Sequence, residues 1–489
     1  MASSNKFNSF IEHFQKIKTV QQVEQLLGWD ERTMMPAGSS TLRGDQTAYI
    51  KAHLHDLMTD SSYVGLLEDL ASASEKLTPD ETAAVNWQVR QVRRQKKIPS
   101  SLIESMAKAQ AKSYSLWQTA RKENSFKSFL PVLKEVFELA RSHGDCLKEA
   151  GQTTYEGLLS EYEPKVSLSL YEKLFADLKQ DLVPLVKNIK NPKSSLPTSL
   201  SQTAQEELNR WAIEKIGFDF NHGRLDVTVH PFCTGMGSDI RLTTRYNEDH
   251  WSQSFYGCMH EAGHGLYEFG SYQLAPNLPV KEASGLGMHE SQSRFWENQI
   301  GRSREFCEFL TKNAPESARS ALGHDPAELF SGVNQVKPSY IRVEADEVTY
   351  NLHILLRFEI EVGLFSGKYN LDDLPEIWWQ KMSEYFGLPK TTDDMGVLQD
   401  VHWPVGSFGY FPTYALGNMI AAQLEEKMST EIPFAESIRS GNFATILSWL
   451  QQNVHKVGSA QPTLEIVKNA TGAELSHQAL TRYLKRKFT

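Results

Sequence analysis

Apolar side chains recur at spacings of three and four along most of this 489-residue chain, and that period commits it to helices. Phe7, Phe10, Phe14 and Ile17, continued by Val20, Val23 and Leu27, form one such stripe. Similar stripes cover residues 81–97, 101–121, 128–149, 168–190 and 202–216, and then 251–269, 288–312, 343–365, 413–428 and 474–487. One stretch departs from this period. Leu225, Val227 and Val229 alternate with Asp226, Thr228 and His230; Thr234-Gly235-Met236-Gly237-Ser238 follows, and alternation resumes at Ile240 and Leu242. That is a hairpin signal inside a helical chain. The expected class is therefore mostly α, with a small antiparallel hairpin or sheet beside the helix at 251–269.

At roughly 150 residues per domain the length allows about three domains or one large lobed unit. The pattern favours a single helical unit over 1–489, with a lobe boundary near 191–201, where Asn191-Pro192-Lys193-Ser194-Ser195-Leu196-Pro197 interrupts it. Lys and Arg number 51 against 60 Asp and Glu, so no cationic excess exists to neutralise nucleic acid or an anionic membrane. The two short basic clusters, Arg90 to Lys97 and Lys485 to Lys487, read as solvated helix faces. No apolar run approaches the ~20 residues of a membrane span, and Met1 to Phe7 lacks a secretory apolar core. Cys146, Cys233, Cys258 and Cys307 form no CxxC pair, which points to reduced thiols and a cytosolic protein.

The chemistry concentrates at His260-Glu261-Ala262-Gly263-His264. Residues four apart lie about 40° apart around a helix, so both imidazoles can reach one ion. Glu261, turned about 100° from His260, can face a water at that ion without binding it. A catalytic zinc site of this kind needs a third protein ligand and an open position. Glu290, in His289-Glu290-Ser291-Gln292, follows His264 by 26 residues, enough for a loop and a returning helix. The intervening Pro276, Pro279, Gly285 and Gly287 suit such a turn-back. Glu290 is the preferred third ligand; Glu268, Glu282 and His289 compete, and Glu268 could instead support His264 from outside.

With these residues in view the chain resembles the carboxypeptidase Taq family of metallocarboxypeptidases. Trp29-Asp30-Glu31-Arg32-Thr33-Met34-Met35-Pro36 is similar to that family's WDxxTxMP segment, and Asp239-Ile240-Arg241-Leu242-Thr243 to its DxRxT. His260–His264 matches HExxH and His289–Gln292 matches HESQ. Ile341-Arg342-Val343-Glu344-Ala345-Asp346 matches IRxxAD, and Gly396 to Trp403 matches GxxQDxHW. The resemblance implies a two-lobed helical fold with a deep groove, with the metal-site region at about 225–430. It implies a homodimer with one zinc or cobalt ion per subunit, and removal of single C-terminal residues from peptides with broad specificity.

A carboxypeptidase must hold a terminal carboxylate, and a guanidinium fork does so bidentately. Arg342 and Arg241 are the candidates. On the bland reading Arg342 pairs with Asp346 on one helix, and Arg241 with Asp239 on one strand face. Tyr414, with His402 twelve residues earlier, resembles the oxyanion-stabilising pair of neurolysin-like relatives, and Tyr410 is the substitute. His230 is a further candidate at the cleft, or a structural histidine. The rival functions are a zinc oligopeptidase cutting inside short peptides and a non-catalytic helical scaffold.

Overall fold

A computed structural model of the chain describes residues 2–191, 197–274, 278–280, 282 and 284–489, and its element order is helical almost throughout. Four helices open it: α1 (Ala2–Thr33), α2 (Ser40–Thr59), α3 (Ser61–Ser72) and α4 (Pro79–Lys97). Five follow: α5 (Ser100–Lys122), α6 (Phe126–Leu147), α7 (Thr154–Tyr162), α8 (Leu168–Asn188) and α9 (Gln202–Lys215). A small sheet, β1 (Gly223–Val227), β2 (Cys233–Met236) and β3 (Asp239–Thr244), precedes α10 (Trp251–Leu274) and α11 (Leu286–Arg294). After these come α12 (Arg304–Asn313), α13 (Arg319–Leu322), α14 (Pro326–Val333), α15 (Thr349–Phe365) and α16 (Leu374–Phe386). The chain closes with α17 (Pro412–Glu431), α18 (Phe434–Ser440), α19 (Phe443–Leu450), α20 (Thr463–Thr471) and α21 (His477–Phe488).

The helices start where local chemistry satisfies their first N–H groups. Thr78 and Glu81 form a reciprocal capping box at α4, with Pro79 in the first turn, and Thr153 with Glu156 does the same at α7. Two helices are shorter than their periodicity suggests. The stripe at 343–365 becomes helical only at Thr349, because Asp346 stays outside as a cap, accepting from the Val348 and Thr349 amides at 3.0 and 2.9 Å. The stripe at 288–312 is three pieces: α11, a π-helical segment Phe295–Gly301, and α12 behind its Ser303 cap.

The sheet order is β1-β3-β2, and only part of it is antiparallel. The tight hairpin joins β2 to β3 through Gly237 (φ 73°) and Ser238, whereas β1 runs parallel to β3. The segments at 225–229 and 240–242 thus do lie side by side, but in parallel, with Gly223 opposite Ile240 and Leu225 opposite Leu242, rather than as the two arms of a hairpin. The segment after β1 crosses back and leaves residues 233–236 to form the hairpin partner.

Two hydrophobic cores result. The smaller gathers Phe7, Phe10, Phe14 and Ile17 of α1 with Tyr63, Leu67 and Leu70 of α3 and Ala84, Val85, Val89 and Val92 of α4, and Val280 completes it. The larger runs from α5 to α21 and includes the inner faces of α8 and α9. Of the boundary expected at 191–201, residues 192–196 lie outside the described residues. Beyond Ile17 the stripe of α1 leaves its core: Val23 is 40% exposed, and Trp29 lies between the guanidiniums of Arg224 and Arg241, 4.9 and 4.3 Å from their carbons. Neither basic cluster is wholly a solvated face. Arg90 and Arg94 donate to Ser160 at 3.0 and 2.9 Å, and Lys487 is buried against Glu347 at 2.6 Å.

Candidate active site

Helix α10 crosses α11 in direct contact, because the middle of its histidine motif carries a glycine. A Cβ on Gly263 would sit 2.5 Å from the Gln292 carbonyl oxygen and 2.7 Å from the Ser293 Cα. That approach brings His260, His264 and Glu290 together: one ligand atom from each lies within 4.8 Å of the others. Glu290 Oε2 is 3.5 Å from the Nε2 of both histidines.

The other side of each ligand is fixed. His260 Nδ1 bonds Glu297 Oε2 at 2.9 Å, and His264 Nδ1 lies 3.1 Å from the His289 carbonyl and 2.5 Å from His289 Nδ1. These bonds place hydrogens on both Nδ1 atoms and leave both Nε2 lone pairs facing Glu290. Arg294 Nε donates to Glu290 Oε1 at 2.7 Å and its Nη1 to Glu297 Oε2 at 3.1 Å, so Glu290 presents one free oxygen. Burial would raise the Glu290 carboxyl, yet Arg294 and the histidines outweigh it and hold it well below the ordinary range. Burial and the neighbouring histidines lower His264 to about 3. Burial would lower His260, yet Glu290 and Glu297 outweigh it and raise it, so an ion would take the place of its proton. Two imidazoles and one ionised carboxylate oxygen form a donor set that fits a divalent ion with a position to spare.

Glu261 is 7% exposed, and burial pushes its pKa up to about 7, where a carboxylate can both take and release a proton. The remaining contenders for third ligand have other partners. Glu268 accepts from His289 Nε2 at 2.7 Å, so it supports His264 through His289, and Glu282 pairs with Lys18 of α1.

The aromatic wall comes from the loop before α17 and its first turn. His402 Nε2 is 3.2 Å from the Tyr414 hydroxyl, and the Tyr410 and Tyr414 rings are 5.3 Å apart. Burial, reinforced by Arg342, lowers His402 to about 3, so it is neutral. Arg342 lies over the Tyr414 ring at 5.2 Å and donates through Nη1 to the Tyr350 hydroxyl at 3.1 Å. It pairs with Asp400 at 2.8 Å rather than with Asp346, which is occupied in capping α15. Arg241 pairs with Asp239 at 2.8 Å against Trp29, away from this wall. His230 is exposed in the bend after β1.

Sequence reasoning did not single out Arg294, Glu297 or Tyr350. Glu290, Arg294 and Glu297 stand at i, i+4 and i+7, one stripe of a helix, and that spacing was the available signal. Nothing local announces Tyr350.

A family model described as carboxypeptidase Taq (M32) metallopeptidase matches residues 9–488. The chain is 38% identical over 509 residues to thermostable carboxypeptidase 1 of Thermus thermophilus, covering 100% of this chain and 99% of that one. It is 35% identical over 490 residues to carboxypeptidase 1 of Bacillus subtilis, covering 98% and 97%. The crystal structure of an M32 carboxypeptidase from Deinococcus radiodurans superposes with a TM-score of 0.94 at 32% identity, over 99% of each chain.

Proposed function

This chain belongs to the carboxypeptidase Taq (M32) family of metallopeptidases and is a metal-dependent carboxypeptidase, and we propose that it releases single C-terminal residues with broad specificity, Glu261 acting as general base. The observation that carries this reading is the convergence of His260, His264 and Glu290 beside a buried Glu261. Bound by those three residues, a divalent ion supplies Lewis acidity towards water and the scissile carbonyl. The donor set supports zinc or cobalt, one per subunit.

Glu261 takes the proton of the attacking water and delivers it to the leaving amine. Tyr414, steadied by neutral His402, donates to the oxygen that becomes anionic, with Tyr410 alongside it. Arg342 anchors the terminal carboxylate. Both guanidiniums already hold a carboxylate, Asp400 for Arg342 and Asp239 for Arg241, and it is the place of Arg342 against Tyr414 and Tyr350 that supports it over Arg241. His230, exposed at the sheet, would touch only distant parts of a peptide. Strand β2 is an outer strand of the sheet, a position that supports main-chain pairing with an extended peptide.

We further propose a homodimer, which the family resemblance supports, acting in the cytosol, which four free cysteines support. The chain would act as one unit across both cores. No described helix is long and apolar enough to cross a membrane.

Glu261→Gln is expected to keep stoichiometric metal and lose turnover, and Glu290→Ala to lose metal while keeping its helical circular dichroism. Full turnover by Glu261→Gln, or normal metal content in Glu290→Ala, overturns the assignment. Equal cleavage of free and C-terminally amidated peptides would favour the internal-cutting oligopeptidase.

A further inference from the structure

Helix α11 carries Glu290 at its fifth position and begins without a cap of its own. Its N-cap is Gly285, which has no side chain to accept from the first amides. The missing acceptor comes from 124 residues upstream: the Gly287 amide donates to Glu163 Oε2 at 2.7 Å. Glu163 is the residue that ends α7 and is 0% exposed. Its carboxylate occupies the space that two side chains would need. A Cβ on Gly285 would lie 2.2 Å from Glu163 Oε1, and one on Gly287 would lie 2.7 Å from Oε2. The two glycines expected to serve a turn-back thus also make room for this carboxylate.

Burying a carboxyl group is costly, and burial raises Glu163 to about 7 even though Thr463 and the Gly287 amide act against it, so its position at the positive end of a helix calls for a reason. Helix α7 supplies one, because it also touches the opposite wall of the site. Tyr162 packs its ring 5.1 Å from that of Tyr410, and Tyr155 donates to Glu361 Oε2 at 2.7 Å. Glu361 in turn accepts from the Gly409 amide at 2.8 Å, one residue before Tyr410. One short helix therefore grips the helix that bears the third ligand and the loop that bears Tyr410.

We infer that Glu163 is a positioning residue for the metal site: by capping α11 from α7 it sets where Glu290 stands relative to the histidines of α10. The inference rests on the reading of Glu290 as a ligand.

The test is zinc affinity, measured by chelator competition on the full-length protein, with kcat and KM at saturating zinc. Glu163→Ala removes the cap and is expected to weaken zinc binding at least tenfold and lower kcat severalfold, with KM within about twofold. Glu163→Gln keeps an acceptor oxygen at the same reach and is expected to restore affinity to within about threefold of the parent. Glu163→Asp withdraws the oxygen by one methylene; it should resemble Glu163→Ala and serves if that variant does not fold. Parent-like zinc affinity in Glu163→Ala or Glu163→Asp, whatever their melting temperatures, reduces Glu163 to scaffold and overturns the inference. Equal loss in Glu163→Gln and Glu163→Ala overturns it as well. Glu290→Ala run alongside separates the two failures: if that variant also binds zinc normally, the ligand assignment has failed rather than the cap.

Discussion

Asp400 holds two guanidiniums at once. Arg342 reaches it through Nε and Nη2 at 3.0 and 2.8 Å, and the fully buried Arg357 through Nε at 2.7 Å. One carboxylate between two cations leaves a net positive charge, and Arg342 is the one that borders the aromatic wall. Replacing Arg342 with Gln should remove a charge-assisted bidentate contact worth about 1.5–3 kcal/mol. KM for free-acid peptides should therefore rise ten- to hundredfold, measured against an amidated control that changes little. The same cations hold the Asp400 carboxyl far below its ordinary range, although burial alone would raise it. A depressed folded value gives stability that is present above the unfolded pKa of about 4 and lost as pH falls through and below it. Asp400→Asn should thus be less stable than the parent in urea at pH 7, with the gap narrowing towards pH 3. The ligand pattern was legible in the sequence because one helix carries two of its members. Arg342 was legible as a functional candidate, but its partner was not: Asp346 is four residues away and Asp400 is 58, and only the folded chain reveals which is free.

At the scale of elements, Glu290 is enclosed by helices on two sides. Gly263 of α10 admits the α11 backbone, and a Cβ on Gly417 of α17 would meet Glu290 Cγ at 2.7 Å and its Cβ at 2.8 Å. Gly417→Ala should displace the ligand carboxylate rather than merely strain the core. Metal affinity should fall by an order of magnitude or more while the melting temperature drops by only a few degrees; isothermal titration with zinc and a thermal melt measure the two. Apolar period located the longer helices, since it is a local property of the chain. The sense of pairing in the sheet was illegible, because alternation reports which face a residue takes and says nothing of the direction of its neighbour. The π-helical segment was equally hidden: Phe295 and Trp296 suit any helix, and what favours the wider turn is packing. Tyr483 of α21 donates to the Asn298 carbonyl at 3.1 Å inside that segment.

Across the whole molecule, the small core of α1, α3 and α4 meets the large one through polar and cationic contacts. Trp29 between Arg224 and Arg241, Lys18 with Glu282, and Arg90 and Arg94 on Ser160 are the named joints. Two cation–π contacts at about 0.5–2 kcal/mol each make Trp29 the strongest single joint. Trp29→Ala should raise amide exchange throughout α1–α4 while leaving α10, α11 and α17 protected; uniform exchange across both cores would contradict a separable unit. The small core is not made by its own segment alone. Val280, 0% exposed, lies within it, Leu278 and Ala460 pack on its border, and the Val280 carbonyl accepts from the Ser459 amide at 2.8 Å. During synthesis the first 97 residues leave the ribosome long before the residues that close over them. The apolar face that Val280, Leu278 and Ala460 cover in the folded chain must then stay open while the residues up to 460 are made.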